Sequence, residues 1–227
     1  MKKYEKIKSL ILSIISSPVI RFDLSLLLGL AMNLVYITGN FLSAVLYRSL
    51  WSATVTAYHS FFVVMRTYLI YSRGRLEEYR TDSRKIHLVC FRVGITLLLL
   101  DFLASAMMLY TVRQNRQVEY SGIVLLGFLI YTLYSLLSSL YGMKKWKNDN
   151  QPLHFAAKNM TLAASLMSFF NLQYSLLSSL GAGTVFIRWA NTAGGVAIFL
   201  IIIFLALRLI VRSASGASLP NRKSQNS

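Results

Sequence analysis

The residues of this sequence that could do chemistry are polar side chains inside long apolar runs. Asp101 is the only acid within these runs, and His59, Asn40, Asn171 and Gln173 fall at similar depths. A histidine and a carboxyl group in a low dielectric can titrate near neutral pH or carry a proton, and amides can line a polar path. In the structural alternative, these groups only satisfy one another by hydrogen bonding. We take the five residues as candidates for a substrate path.

Three arginines form a second candidate set, which suits anions. Arg66 and Arg92 fall about 6–8 Å inside the ends of their apolar runs, at a helical rise of ~1.5 Å per residue. Arg48 lies in a short connection between two runs. An arginine at this depth can extend to lipid headgroups, or it can hold an anion. Both interpretations remain open, so these three residues are candidate anion or headgroup contacts.

Motifs typical of enzymes are absent from the sequence. It contains no GxSxG, HExxH, P-loop or GxGxxG pattern. Asp101 has no paired acid in its run, and His87 and His154 have no ligand-like spacing to carboxylates. Cys90 is the only cysteine, which leaves no CxxC-type metal or redox site. We therefore expect no enzymatic activity, no metal and no cofactor.

Six segments are long and apolar enough to cross a lipid bilayer. A transmembrane helix needs about 20 mostly apolar residues, because each residue adds ~1.5 Å across a hydrocarbon core of ~30 Å. The runs are continuously apolar and lack the two-residue alternation of barrel strands, so helices are indicated. The predicted fold is an all-α, polytopic bundle of six transmembrane helices at residues 24–46, 51–71, 88–112, 120–141, 156–180 and 189–211.

Basic residues predict the orientation of these spans. Sixteen of the 24 lysines and arginines fall in the two tails and the even-numbered loops, and four fall in the odd-numbered loops. Cytoplasmic loops of membrane proteins are enriched in Lys and Arg. We therefore expect a multi-pass protein of the plasma membrane with both termini in the cytoplasm.

The net charge of +16 bears on the expected partners. Clustered basic residues are typical of nucleic-acid-binding proteins, but here their distribution follows the predicted topology. The expected partners are therefore the lipid bilayer and its anionic inner-leaflet lipids, and no nucleic acid. A homo-oligomer or a complex with a membrane partner protein stays open, because small-residue faces suit helix packing within or between chains.

The two ends of the chain are predicted to differ from the bundle. Residues 1–23 predict a basic cytoplasmic N-terminus with an interfacial amphipathic helix that stops at Pro18. Residues 24–211 make up the six-helix transmembrane domain. Residues 212–227, rich in serine and asparagine, predict a disordered cytoplasmic tail.

A spaced pattern of residues runs through nearly the whole predicted bundle. It consists of Asn40, Tyr47-Arg48-Ser49-Leu50-Trp51, Tyr58, Arg66, Asn159, Leu172-Gln173 and Asn191-Thr192-Ala193-Gly194. This pattern resembles a family of uncharacterised six-span integral membrane proteins from Gram-positive bacteria. The resemblance implies a bacterial cytoplasmic membrane and adds no assigned activity.

The resemblance also bears on the choice of site. It favours the residues that match the pattern, which are Arg48, Arg66, Asn40, Gln173 and Asn191. His59 and Asp101 depart from it, because the family pattern has an aromatic residue at the first position and a small or amide residue at the second. Arg48 and Trp51 also suit a tight external turn that anchors two helix starts at the membrane interface.

Two functions follow from these residues. The first is a small permease-like or transport-associated protein that uses the polar midplane residues, and it requires those side chains to face the bundle interior together. The rival is a non-catalytic membrane scaffold that binds lipid or a partner protein, and it predicts a dry, closed midplane.

Overall fold

The computed structural model describes residues 18–78, 83–114, 122–145, 152–179 and 183–217. These residues form six α-helices and no β-strand, which confirms the predicted all-α class for this part of the chain. The helices are α1 (Pro18–Leu46), α2 (Leu50–Glu78), α3 (Ser83–Gln114), α4 (Gly122–Lys145), α5 (Pro152–Ser179) and α6 (Thr184–Ala217).

Local sequence explains where several helices begin and end. Pro18 and Pro152 are the first residues of α1 and α5, where the fixed φ of proline suits a helix and its missing N–H is not needed. The Ser49 hydroxyl accepts a hydrogen bond from the Ser52 N–H at 3.1 Å and so caps α2. Between α1 and α2 the chain reverses through Arg48, whose φ is 47°. This left-handed residue ends α1 in the way that glycine commonly does.

Four of the described helices are long and apolar enough to cross a membrane. These candidate spans are Leu26–Leu46, Arg84–Arg113, Gly122–Gly142 and Thr184–Ser215, in α1, α3, α4 and α6. With 29 and 28 residues, α2 and α5 are also long enough, but they carry more polar residues. The helices are consistent with a membrane protein, whereas six spans and two cytoplasmic termini stay predictions.

The central helix of the bundle is α5, which contacts each of the other five. It is rich in small residues, and Ala156, Ala163 and Ser168 are completely buried where neighbouring helices approach. A comparatively polar helix is tolerated here because protein surrounds it on most sides. This position allows α5 to collect polar groups from α1, α2 and α4.

The remaining helices pack around α5 largely in pairs. α1 packs along α2, and α3 packs along α6. Gly94 allows α3 and α6 to approach closely, because a Cβ there would lie 2.7 Å from Ile210 Cγ1 and 3.4 Å from the Ala206 carbonyl oxygen. α4 packs mainly against α5 and leaves much of its apolar surface outside the bundle.

The terminal helices extend beyond the predicted spans. α1 begins at Pro18, so residues 18–23 are helical, whereas the predicted interfacial helix before Pro18 lies outside the described residues. α6 continues to Ala217, so the predicted tail is helical over residues 212–217, and its remainder lies outside the described part of the chain. Residues 120, 121 and 180 of the predicted spans lie outside it as well.

Candidate functional site

An amide at the centre of the bundle joins three helices. Asn171 on α5 is completely buried, and its Oδ1 accepts a hydrogen bond from the Trp51 indole N–H of α2 at 2.7 Å. Its Nδ2 donates to the Tyr36 hydroxyl at 2.8 Å and to Asn40 Oδ1 at 3.3 Å, both on α1. Protein groups therefore satisfy both the oxygen and the nitrogen of the Asn171 amide by hydrogen bonding.

His59 on α2 lies beside this amide and is also completely buried. Its Nδ1 donates to Asn33 Oδ1 at 3.4 Å, since an amide oxygen can only accept, and its Nε2 lies 3.4 Å from the Ser168 hydroxyl. The Tyr36 ring covers the imidazole, with ring centroids 4.5 Å apart. Asn33, His59 and Asn171 therefore belong to one polar layer across α1, α2 and α5.

Arg66 places a guanidinium group in the interior next to this layer. The residue lies on α2 and is only 3% exposed. Its Nη2 donates to the Thr161 hydroxyl of α5 at 3.0 Å, and its buried Nε has no partner among the described residues. The guanidinium crosses Gly29 of α1, where a Cβ would collide with it. Arg66 can take this position because α1 has a glycine there.

A cavity of about 70 Å³ lies beside Arg66. This volume is several times the ~10–15 Å³ that one water needs, so the cavity has room for several waters or a small anion. α1, α2, α4 and α5 all contribute to its wall. Its polar lining consists of Asn33, Arg66, Tyr131, Tyr134, Ser135, Ser138 and Thr161, and none of the described residues that line it is acidic.

Asn33 belongs to both the cavity wall and the polar layer. Its Oδ1 accepts from His59 and also lies 3.5 Å from the Tyr131 hydroxyl of α4. Its Nδ2 is buried and has no partner in the described part of the chain. Two buried donors at this wall, the Asn33 amide and the Arg66 Nε, thus lack acceptors among the described residues. A wall with positive charge and spare donors suits an anion.

Serines of α4 fix this wall against α5. The Ser165 hydroxyl lies 2.7 Å from the Ser135 hydroxyl and 2.9 Å from that of Ser139, so the three groups form a small cluster between the two helices. Ser139 also donates to the Ser135 carbonyl at 2.7 Å. These bonds hold Ser135 in place at the cavity.

Asp101 makes no hydrogen bond to the polar layer among the described residues. It is buried on α3, and its Oδ2 has no partner in the described part of the chain. No hydrogen bond joins it to His59 within the described part of the chain, since the imidazole contacts Asn33 and Ser168. The structure therefore does not bring the histidine and the acid together as a hydrogen-bonded pair.

Gln173 also lies apart from the layer. Its Nε2 donates to the Ala190 carbonyl at 2.9 Å and so links α5 to α6. Gly194 of α6 leaves space for this amide, because a Cβ there would lie 2.6 Å from it. Of the five path candidates, the structure joins Asn40 and Asn171 directly and places His59 next to them.

The three candidate arginines occupy different environments. Arg48 is exposed in the turn between α1 and α2, and Arg92 is exposed on α3, where its Nη1 donates to the Tyr68 hydroxyl at 3.3 Å. Arg66 alone among the three is buried, and it borders the cavity. Asn191, favoured by the family resemblance, is buried on α6 with its Oδ1 unpartnered among the described residues.

Sequence reasoning missed several residues of this site. Trp51 was expected as an interfacial anchor, but it is 1% exposed, because its indole N–H is the donor for Asn171 and its ring packs on Phe170. Asn33 was not among the candidates. A detectable signal existed on α1, where Gly29, Asn33, Tyr36 and Asn40 recur every three or four residues and so share one helix face.

Comparison of the chain with protein-family models, with curated proteins and with solved structures gives no match. The resemblance to a six-span family from Gram-positive bacteria therefore stays a prediction. Across the described residues, no group of three or more His, Cys, Asp or Glu side chains could hold a metal ion. The candidate site is accordingly defined by the cavity beside Arg66 and the polar layer behind it.

Proposed function

We propose that this protein binds an anionic ligand within the membrane, in the cavity beside Arg66, and that it does so without catalysing a reaction. The observation that carries the proposal is an arginine, only 3% exposed, at a cavity whose described lining contains no acid. A buried charge is normally paired, because its transfer out of water is otherwise costly. An anion in the cavity would supply the missing partner.

The donor pattern of the cavity also favours an anion. Arg66 Nε and Asn33 Nδ2 are both buried without a described protein acceptor. The remaining polar lining consists of hydroxyl groups, which can donate as well as accept. A phosphate or carboxylate accepts several charge-assisted hydrogen bonds from such a wall.

Replacing Arg66 by methionine tests this proposal. We expect the wild-type protein in non-ionic detergent to melt about 5–10 °C higher at saturating inorganic phosphate, which corresponds to about 2.7 kcal/mol at a hundredfold excess over Kd. The Arg66→Met variant should lose this shift. Without phosphate it should melt no lower than the wild type, because it no longer buries an unpaired charge. Thermal unfolding at constant ionic strength measures both effects.

Arg92→Met is the matched control for that experiment. It removes the same charge from an exposed position outside the cavity and should keep the phosphate shift. Equal phosphate responses in the wild type and in Arg66→Met would contradict an anion site at Arg66.

Transport is the second candidate function, and one observation favours it. Behind the cavity, Asn33 contacts His59 at 3.4 Å, and the Tyr36 ring packs in a tilted arrangement against His59. The Tyr36 hydroxyl is hydrogen-bonded to Asn171, which also donates to Asn40. Polar groups thus continue from the anion cavity toward the opposite side of the bundle. A permease-like protein requires such a series, although the groups here are bonded to one another.

Uptake of labelled phosphate into proteoliposomes separates the two functions. Transport predicts uptake above that of protein-free liposomes, abolished by Arg66→Met, whereas a binding scaffold predicts binding with no uptake. Asp101→Asn should leave any uptake unchanged, because Asp101 makes no described hydrogen bond to the polar layer. A loss of uptake in Asp101→Asn would show that Asp101 takes part in transport.

A further inference from the structure

We infer that the anion at Arg66 is the headgroup phosphate of an anionic membrane lipid, which reaches the cavity sideways between α1 and α4. This inference rests on the proposed anion site and adds the chemical class of its ligand. It is carried by the position of the cavity mouth, the depth of that mouth and the apolar residues around it.

The cavity opens on the outer surface of the bundle. Leu28 of α1 and Tyr134 of α4 both line it, and they are 49% and 52% exposed. Ser138, one helical turn further along α4, lines the cavity and is exposed as well. Side chains that line a cavity and also face outward mark its mouth. The mouth therefore lies between α1 and α4, where a membrane-embedded bundle meets lipid.

Contacts between aromatic rings close the gap between α1 and α4 at one end only. Tyr36 of α1 stacks on Tyr131 of α4, with centroids 4.6 Å apart, and lies 5.2 Å from Phe128. A Cβ on Gly39 would lie 3.4 Å from the same phenylalanine. The two helices therefore meet near residues 36–39 of α1 and leave the cleft open near Leu28, toward the amino end of α1.

The mouth lies at a depth that a lipid headgroup can reach. Leu28 and Ser138 are only about 5–6 Å inside the predicted span ends at residues 24 and 141, at ~1.5 Å per residue. The distribution of basic residues predicts that this end faces the cytoplasm, where anionic lipids are enriched. A long arginine side chain can bring its charge toward such headgroups.

The surroundings of the mouth favour an amphiphile over a free ion. Leu28 flanks the opening, and Leu137 on α4 is 65% exposed beside it. A soluble anion would have to pass these apolar side chains and the lipid outside them without a counter-charge. A lipid covers the same surface with its acyl chains while its phosphate enters the cavity. Because the described lining has one cation and no acid, a net negative headgroup is preferred over a zwitterionic one.

Lipid retention by the purified full-length protein tests this inference. The protein is incubated in non-ionic detergent with equal amounts of phosphatidylglycerol and phosphatidylcholine, and bound lipid is counted by native mass spectrometry. We expect the wild type to retain phosphatidylglycerol about tenfold over phosphatidylcholine, because both lipids carry the same phosphate but the choline ammonium would bring a second positive charge near the guanidinium. Arg66→Met should lose the preference. Ser138→Trp, which fills the mouth without touching the arginine, should lose it too.

Ile130→Trp is the matched control, because it adds the same ring at an exposed position of α4 that lies about two helical turns from Ser138 and outside the cavity lining, and it should keep the preference. Equal retention of the two lipids, or a preference that survives in Ser138→Trp, would overturn the inference. An Arg66-dependent response to inorganic phosphate without lipid selectivity would leave the proposed function standing and remove the lipid. Loss of both responses would overturn both. Thermal unfolding of each variant establishes that it is folded.

Discussion

Replacing Asn171 by leucine should lower the melting temperature by about 5–15 °C, because three interhelical hydrogen bonds are lost together. Its amide accepts from Trp51 at 2.7 Å and donates to Tyr36 at 2.8 Å and Asn40 at 3.3 Å. Interhelical hydrogen bonds in membrane proteins contribute about 0.6–1.7 kcal/mol each, so the variant should lose roughly 2–5 kcal/mol. The indole N–H is then left in the core without this acceptor, which adds to the cost.

Gln173→Leu is the control for this prediction, since it also replaces an amide on α5 but removes one bond, to the Ala190 carbonyl. Its effect should be well under half as large. Trp51→Phe should cost less than Asn171→Leu, and the double variant should cost less than the two separate losses, because both changes remove the same bond. Strictly additive losses would show that the Trp51–Asn171 bond is not formed.

Replacing Gly29 by valine should weaken phosphate binding by at least about tenfold while the bundle stays folded. A Cβ at residue 29 would lie 2.6 Å from Arg66 Cζ and 3.0 Å from its Nη2, so the guanidinium has to move. The colliding atoms are the far end of a flexible side chain, which can swing away without displacing backbone. The charge then leaves the position beside Asn33 and Thr161. A tenfold change in Kd corresponds to about 1.4 kcal/mol of binding free energy.

Gly127→Val provides the comparison for Gly29, because a Cβ at residue 127 of α4 has nothing within 4 Å. Phosphate titration followed by thermal unfolding measures both variants against the wild type. If phosphate affinity is unchanged in both Gly29→Val and Gly127→Val, then phosphate binding does not depend on the position of the Arg66 guanidinium over α1.

Much of the fold could be predicted because apolar runs of about 20 residues carry a strong signal. Each predicted span overlaps one described helix, including α2 and α5. These two helices are more polar than the others because they carry His59, Arg66 and Asn171. All three residues are buried in the interior, where α2 and α5 contact each other. Composition alone does not reveal that α5 is central, since its position depends on how the other helices pack around it.

The candidate site was harder to predict, because the depth of a residue along a helix does not determine which neighbouring helix its side chain faces. Asp101 and His59 fall at similar depths, yet His59 contacts Asn33 of α1 and Ser168 of α5, and no described hydrogen bond joins it to Asp101. Rise per residue also ignores side-chain reach. Counted from the predicted span ends at residues 24 and 71, the rise gives Asn33 a shallower depth than His59, although the two side chains lie 3.4 Å apart.

The partnership between Arg66 and Gly29 shows the same limit. Each residue could be recognised by itself, the arginine as a charge inside a span and the glycine as part of a helix face. Their contact depends on how α1 and α2 are rotated against each other, and a linear sequence does not state that rotation. Only the packed bundle shows that the missing Cβ is what admits the guanidinium.

The proposed function requires that a bound anion balances the charge of Arg66. The most direct test is an experimental density map of the full-length protein in nanodiscs that contain phosphatidylglycerol. We expect phosphate-sized density in the cavity, within hydrogen-bond distance of the Arg66 guanidinium and the Asn33 amide. A cavity that holds only water, with the guanidinium paired to an acidic side chain of the protein itself, would contradict it.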